Sequence, residues 1–139
     1  MRTKMASASA ISWRDSANEN HIRIYYFRNG NIEEKCWDGY WYPGAFAFPG
    51  ETISATSWSM GDRICIRVYV GNGSLINEYC WDGEEWYQGS FTAEGVSSTA
   101  VSWLDDGIPK IKVYVSDEDR TISEYSYENG WELSNDLGV

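Results

Sequence analysis

Along almost the whole chain, apolar and polar residues alternate in short stretches broken by turn-forming residues. Ile22-Arg23-Ile24-Tyr25, Ile66-Arg67-Val68-Tyr69 and Ile111-Lys112-Val113-Tyr114 each carry a branched aliphatic residue at every second position. That is the period of a strand, whose successive side chains point to opposite faces. A further strand is predicted after each, in Ile32-Glu33-Glu34-Lys35-Cys36-Trp37, Ile76-Asn77-Glu78-Tyr79-Cys80-Trp81 and Ile122-Ser123-Glu124-Tyr125-Ser126-Tyr127. Asp38-Gly39 and Asp82-Gly83 then signal hairpin turns, and Glu128-Asn129-Gly130 takes their place in the last stretch. Asn29-Gly30-Asn31, Gly71-Asn72-Gly73 and Asp117-Glu118-Asp119 mark the preceding turns. Trp41-Tyr42, Trp86-Tyr87 and Trp131 open one more short strand each. No useful length of sequence follows the helical period, so the chain is predicted to be all-β.

These blocks form one unit repeated three times. Ile11-Ser12-Trp13, Thr56-Ser57-Trp58 and Val101-Ser102-Trp103 open the copies, and their tryptophans recur every 45 residues. Four short strands in a period of roughly 45 residues match a β-propeller blade. One domain spanning residues 1–139 is therefore expected, with blades at about 10–53, 54–98 and 99–139. Three blades cannot close a ring that normally needs about four to eight. The expected architecture is thus a six-bladed propeller completed by homodimerisation. A β-trefoil, which closes with three repeats, is the alternative.

Composition narrows the function. Eight Trp and ten Tyr in 139 residues exceed what a core of this size takes, and both side chains suit a half-wet pocket. The net charge of −10, from 21 acidic and 11 basic residues, repels phosphate backbones and anionic membrane surfaces, so no nucleic acid is expected as a partner. No apolar run approaches the roughly 20 residues of a spanning helix, which argues against membrane insertion. Residues 1–10 carry Arg2 and Lys4 without a following apolar stretch. A soluble protein without a classical signal peptide, cytoplasmic or non-classically secreted, is expected. Cys36, Cys65 and Cys80 are odd in number and His21 is the single histidine, so neither a disulfide framework nor a zinc site is encoded, and no cofactor is expected. The cysteines read as small buried strand residues.

Candidate chemistry comes from residues that recur together. Glu34 and Trp37 are three apart, as are Glu78 and Trp81, and Glu124 and Tyr127. An odd separation on one strand sends the acid to one face and the ring to the other. A cleft between two blades would then receive Glu from one and an aromatic from the next. Arg23 and Glu34 are eleven apart across a turn, as are Arg67 and Glu78, which is expected to bring each pair within pairing distance on adjacent strands. An Arg–carboxylate pair offers donors and acceptors to vicinal hydroxyls, and an aromatic face takes the C–H side of a pyranose ring. Each element alone has a plainer reading: the Ser-Trp units as blade packing, the Arg/Glu pairs as structural salt bridges, Trp37 and Trp81 as interface rings. Their joint recurrence favours a neutral-sugar pocket over a protein-interaction scaffold. A glycosidase needs two facing carboxylates about 5–9.5 Å apart. Glu33-Glu34 point opposite ways on a strand, and Glu84-Glu85 and Asp105-Asp106 read as solvated turn charges. No catalytic residue is assigned.

Through its Ser-Trp, Ile-Arg-Val-Tyr, Glu-x-Cys-Trp-Asp-Gly and Trp-Tyr-x-Gly units, from about residue 10 to 131, the chain resembles the fucose-binding six-bladed β-propeller lectins of the Aleuria type. That family includes short bacterial members that assemble the ring from several chains. The resemblance implies that Arg and Glu of one blade hydrogen-bond the fucose hydroxyls and ring oxygen, while an aromatic of the following blade stacks under the sugar. It places Arg23, Glu34, Trp81 and Trp86 in a first pocket, with the backbone near Ala45. A second takes Arg67, Glu78, Tyr127 and Trp131, with the backbone near Ser90. A third takes Lys112 and Glu124 with Trp37 and Trp41 of another chain. Lys112 replaces Arg, its spacing to Glu124 is twelve, and Tyr127 replaces Trp. Lys lacks the planar fork of Arg, so the third pocket is expected to be weak or empty. The resemblance implies a multivalent, metal-independent homodimer that binds L-fucose and fucosylated oligosaccharides.

Overall fold

Each copy of the repeat folds into one antiparallel sheet of four strands. In the computed structural model, which describes residues 7–119 and 121–138, β1 (Ala8–Arg14), β2 (Asn20–Arg28), β3 (Asn31–Trp37) and β4 (Trp41–Pro49) hydrogen-bond in sequence order. The second sheet is built the same way from β5 (Thr52–Met60), β6 (Arg63–Asn72), β7 (Leu75–Trp81) and β8 (Trp86–Glu94). The third contains β9 (Ser97–Asp105), β10 (Ile108–Ser116), β11 (Ile122–Tyr127) and β12 (Trp131–Asp136). Arg2 and Lys4, cited above for the start of the chain, lie outside the described residues.

Turn chemistry sets the registers. β2 and β3 are joined by Asn29 and Gly30, both at positive φ (52° and 84°), the left-handed pair that suits a two-residue hairpin. The resulting ladder places Arg23 opposite Cys36 and Tyr25 opposite Glu34. The second blade repeats this with Arg67 opposite Cys80 and Tyr69 opposite Glu78. In the third, Lys112 faces Ser126 and Tyr114 faces Glu124, so the extra residue before Glu124 is absorbed in the turn and positional equivalence is kept.

The sheets stack face to face as propeller blades. Between the first and second, Ile11, Tyr25, Ile32 and Phe46 pack against Ile66, Val68, Val70 and Tyr79. Between the second and third, Trp58, Tyr69, Ile76 and Phe91 meet Ile111, Val113 and Val115. The middle blade is thus apolar on both faces, and Val68 and Tyr69, neighbours in sequence, are both fully buried. Complete burial of such side chains stabilises by about 1.5–3 kcal/mol each. Thr56 and Ser102 hydroxyls, 2.6 Å apart, and Ser54 and Ser98 hydroxyls, 2.9 Å apart, tie β5 to β9. Every ladder among the described residues joins strands of one repeat. The trefoil alternative is therefore set aside, because a trefoil barrel closes by pairing strands from different repeats.

The two end blades each leave one face without a neighbour. On the first blade, Ile24, Tyr26, Lys35 and Trp41 line an open hollow of about 420 Å³. Ile24 occupies the position that Val68 holds in the buried middle blade. On the third blade, Val101 and Trp103 are exposed. No helix among the described residues is long and apolar enough to cross a membrane.

Candidate functional site

Two clefts of like construction open where one blade meets the next. The first, about 230 Å³, is walled by Trp13, Arg23, Glu34 and Tyr42 of the first blade and by Ile64, Ile66, Trp81 and Trp86 of the second, with Ala45 at its edge. The second, about 320 Å³, has Trp58, Arg67, Glu78, Tyr87 and Ser90 of the second blade against Ile111, Tyr127 and Trp131 of the third. The first falls below, and the second at the lower end of, the roughly 300–1,000 Å³ of drug-sized sites, a size that suits a single sugar ring. Arg23, Glu34, Ala45, Trp81 and Trp86 share one cleft, and Arg67, Glu78, Ser90, Tyr127 and Trp131 share the other.

The expected Arg–Glu pairing does not form in these two clefts. The ladder offsets Arg23 from Glu34 by two residue pairs, and Arg23 turns instead to the carboxylate that follows β3, with Nη1 donating to Asp38 Oδ1 at 2.9 Å and Nη2 to Oδ2 at 3.3 Å. Arg67 likewise donates to Asp82 at 2.8 Å. Asp38 also accepts from the Tyr42 hydroxyl and lies 2.5 Å from His21 Nδ1, while His21 Nε2 faces Asp15 at 2.8 Å. Burial alone would raise the Asp38 pKa. Hydrogen bonds from Arg23, Tyr42 and His21 outweigh it and hold the carboxyl well below its usual range. The hydrogen bond to Asp15, then the one to Asp38, raise the His21 pKa.

Each arginine is thereby clamped from one side. Its guanidinium also lies over a tryptophan of the innermost strand, Arg23 over Trp13 and Arg67 over Trp58, each 4.8 Å from the ring centroid. Among the described residues, Nε of both arginines has no hydrogen-bond acceptor in the protein, which leaves donors for a ligand. The buried glutamates are held differently. Tyr25 donates to Glu34 Oε2 and Tyr69 to Glu78 Oε2, each at 2.8 Å. Among the described residues, the other oxygen receives only a long hydrogen bond of 3.4 Å from the Phe46 or Phe91 amide. Glycine makes this placement possible, since a Cβ at Gly44 would overlap the Glu34 carboxylate and one at Gly89 the Glu78 carboxylate.

The aromatic walls are tilted pairs: Trp81 and Trp86 with centroids 5.7 Å apart, Tyr127 and Trp131 at 5.4 Å. Trp37 and Trp41 make the same arrangement at 5.6 Å on the free face of the first blade, away from Lys112 and Glu124 of the same chain. In the third blade Lys112 does pair with Glu124, at 3.3 Å, and a hollow of about 170 Å³ lies beside Trp103, Lys112 and Ser134. The cysteines are buried and free. Burial pushes the Cys36 thiol up to about 11 and the Cys80 thiol up to about 12, so both stay neutral and weakly reactive.

Several residues of the clefts are not singled out by the sequence pattern: Trp13, Tyr42 and Gly44 line the first and Trp58, Tyr87 and Gly89 the second, although the Ser-Trp units read as packing. Asp38 and Asp82, which read as turn formers, clamp the arginines from outside the walls. The available signal was an Asp fifteen residues after each arginine, at 38 after 23 and at 82 after 67.

A sequence model of fungal fucose-specific lectins matches residues 2–138. The chain belongs to that family. Among solved structures this lectin is similar to a fucose lectin from Kordia zhangzhouensis in complex with methyl-fucoside, with 36% identity and a TM-score of 0.83. The match covers 92% of this chain and 97% of that one. It is also similar to the six-bladed β-propeller lectin of Aleuria aurantia, at 29% identity and TM-score 0.74 over 96% of this chain and 45% of that one. SapL1 lectin in complex with alpha methyl fucoside matches at 28% identity and TM-score 0.75, covering 94% of this chain and 47% of that one. The lectin thus spans nearly the full Kordia chain but less than half the length of the other two. No curated protein sequence matches it.

Proposed function

We propose that each of the two intrachain clefts binds one L-fucose unit of a fucosylated glycan, without metal, cofactor or catalysis, and that two chains close head to tail into a six-bladed ring. The observation that carries this reading is the doubled cleft: arginine and buried glutamate from one blade, a tilted aromatic pair from the next. Fucose presents vicinal hydroxyls, a ring oxygen and, as a 6-deoxy sugar, a methyl group. Arg23 and Arg67 supply unused N–H donors, and the half-satisfied oxygens of Glu34 and Glu78 accept from hydroxyls. Trp81 with Trp86, and Tyr127 with Trp131, take the apolar side of the ring, and Ile64 and Ile66 offer the methyl a dry wall. These donors and acceptors are of the kinds that the sugar's hydroxyls and ring oxygen need, and the reading calls on no cation.

The ring follows from the end faces. Apolar surface such as that around Ile24, Tyr26 and Trp41 normally marks an interface. Head-to-tail pairing about a twofold axis covers both end faces in two equivalent contacts and leaves nothing to polymerise. It would set Trp37 and Trp41 of one chain opposite Lys112 and Glu124 of the other. Several weak sites on one ring raise attachment to a glycan surface through effective concentration. Titration calorimetry with methyl α-L-fucoside in excess chelator tests the reading. Saturable binding that is unchanged by chelator is expected. Binding that vanishes with chelator and returns with calcium overturns it.

A further inference from the structure

The third repeat departs from the other two at the residue that faces the buried glutamate. Tyr125 pairs with Leu133 as Lys35 pairs with Pro43 and Tyr79 with Gln88. Counted from that pair, Ser134 stands where the first two blades have Gly44 and Gly89 and Asn135 where they have Ala45 and Ser90, and the bulge that follows is one residue shorter, with Ser123 opposite Asp136 where Glu33 is opposite Ala47 and Asn77 opposite Thr92. Both new side chains reach the carboxylate. Ser134 Oγ donates to Glu124 Oε1 at 2.7 Å and Asn135 Nδ2 to the same atom at 2.8 Å, while Lys112 Nζ lies 3.3 Å from it. Tyr114 donates to Oε2 at 2.9 Å. All four donors belong to the same chain as Glu124, so the arrangement does not depend on what covers the end face.

We propose that Ser134 and Asn135 close the third cleft to fucose by saturating Glu124, so that each chain carries two sugar sites and Gly44 and Gly89 are the residues that keep those sites open. The inference rests on the fucose reading of the two intrachain clefts. A carboxylate has about four acceptor positions, and three donors already crowd Oε1. A sugar hydroxyl arriving at Glu124 displaces a charge-assisted bond the chain already makes, and the exchange yields no net gain. At Glu34 and Glu78 the same hydroxyl meets an oxygen that, among the described residues, accepts only a 3.4 Å hydrogen bond from a backbone amide. The neighbouring charges are spoken for as well. Lys112 also donates to Ser126 at 3.0 Å, and Glu128, which follows Tyr127 as Asp38 follows Trp37, is engaged by Lys110 at 3.0 Å.

Calorimetric stoichiometry on the full chain, with methyl α-L-fucoside and the mass measured in the same buffer, reads this directly. Wild type is expected to take two sugars per chain, Lys112→Arg alone still two, and the triple variant K112R/S134G/N135A three. Three per chain in wild type overturns the inference. So does a dimeric triple variant that stays at two, or Lys112→Arg alone reaching three, which would place the block on the lysine. A wild type with no site at all refutes the fucose reading instead. A monomer refutes the ring, and the inference falls with it because the third cleft then has no second wall.

Discussion

Trp81→Ala tests whether a sugar site is shared between blades. Trp81 ends β7 in the second blade, yet it lines the cleft that holds Arg23 and Glu34 of the first. It has no part in the walls of the cleft that holds Arg67 and Glu78. Removing a stacked aromatic costs about 1–3 kcal/mol, by analogy with aromatic platforms under planar rings. At about 1.4 kcal/mol per tenfold, that is roughly a 5- to 150-fold loss at the first cleft. The second cleft keeps its affinity because Tyr127 and Trp131 supply its aromatic wall. Trp81 is only half-buried, so the cost in folding stability is below the ~3–5 kcal/mol of a fully buried Trp→Ala change. Calorimetry fitted to two site classes, with near-ultraviolet dichroism to check folding, is the assay. Equal loss at both sites in a folded variant would refute the shared-cleft geometry and favour a site within each repeat.

The clamp and the titrating cluster give two further predictions. Asp82→Asn weakens the anchor of Arg67 and should lower affinity at the second cleft by about tenfold, near the lower end of charged hydrogen-bond energies of about 1.5–3 kcal/mol, because Asp82 is partly exposed; unchanged affinity in calorimetry would contradict the clamp. His21 has a raised pKa, so its stabilisation is full below its unfolded value of about 6.5 and is lost as pH rises through the raised folded value. Asp38 and Asp15, both lowered, contribute in the opposite sense, above about 3.9 and lost on acidification. The deficit of His21→Gln in chemical denaturation should therefore be present near pH 6 and shrink by pH 9, and a deficit independent of pH would contradict the His21 contribution.

Much of the fold was readable because each repeat carries its own turn chemistry. Asn29-Gly30 and the alternating strands brought Arg23 and Glu34 to neighbouring strands, and the three-residue offset separated Glu34 from Trp37. Spacing alone could not tell which carboxylate Arg23 reaches. Eleven residues across a turn is compatible with a direct pair and with the diagonal offset seen here, and Asp38 was already accounted for as a turn former. The aspartate does both, ending the strand and clamping the guanidinium. The glycine roles were hidden for another reason. A register shift between Glu33 and Lys35, and between Asn77 and Tyr79, moves β4 and β8 relative to the glutamates, and no repeat count shows that shift. In the third copy only Trp131 marks the last strand in sequence, so Ser134 and Asn135 could be placed only once the Tyr125 to Leu133 pairing was known.

Native mass spectrometry with and without L-fucose tests the central claim most directly, because ring and clefts are read in one spectrum. A species of twice the mass of the 139-residue chain is expected, taking up four fucose units in step with concentration and no more. A stable monomer would contradict the closed ring, and a dimer that takes up six fucose units, or none, would contradict the reading of the clefts.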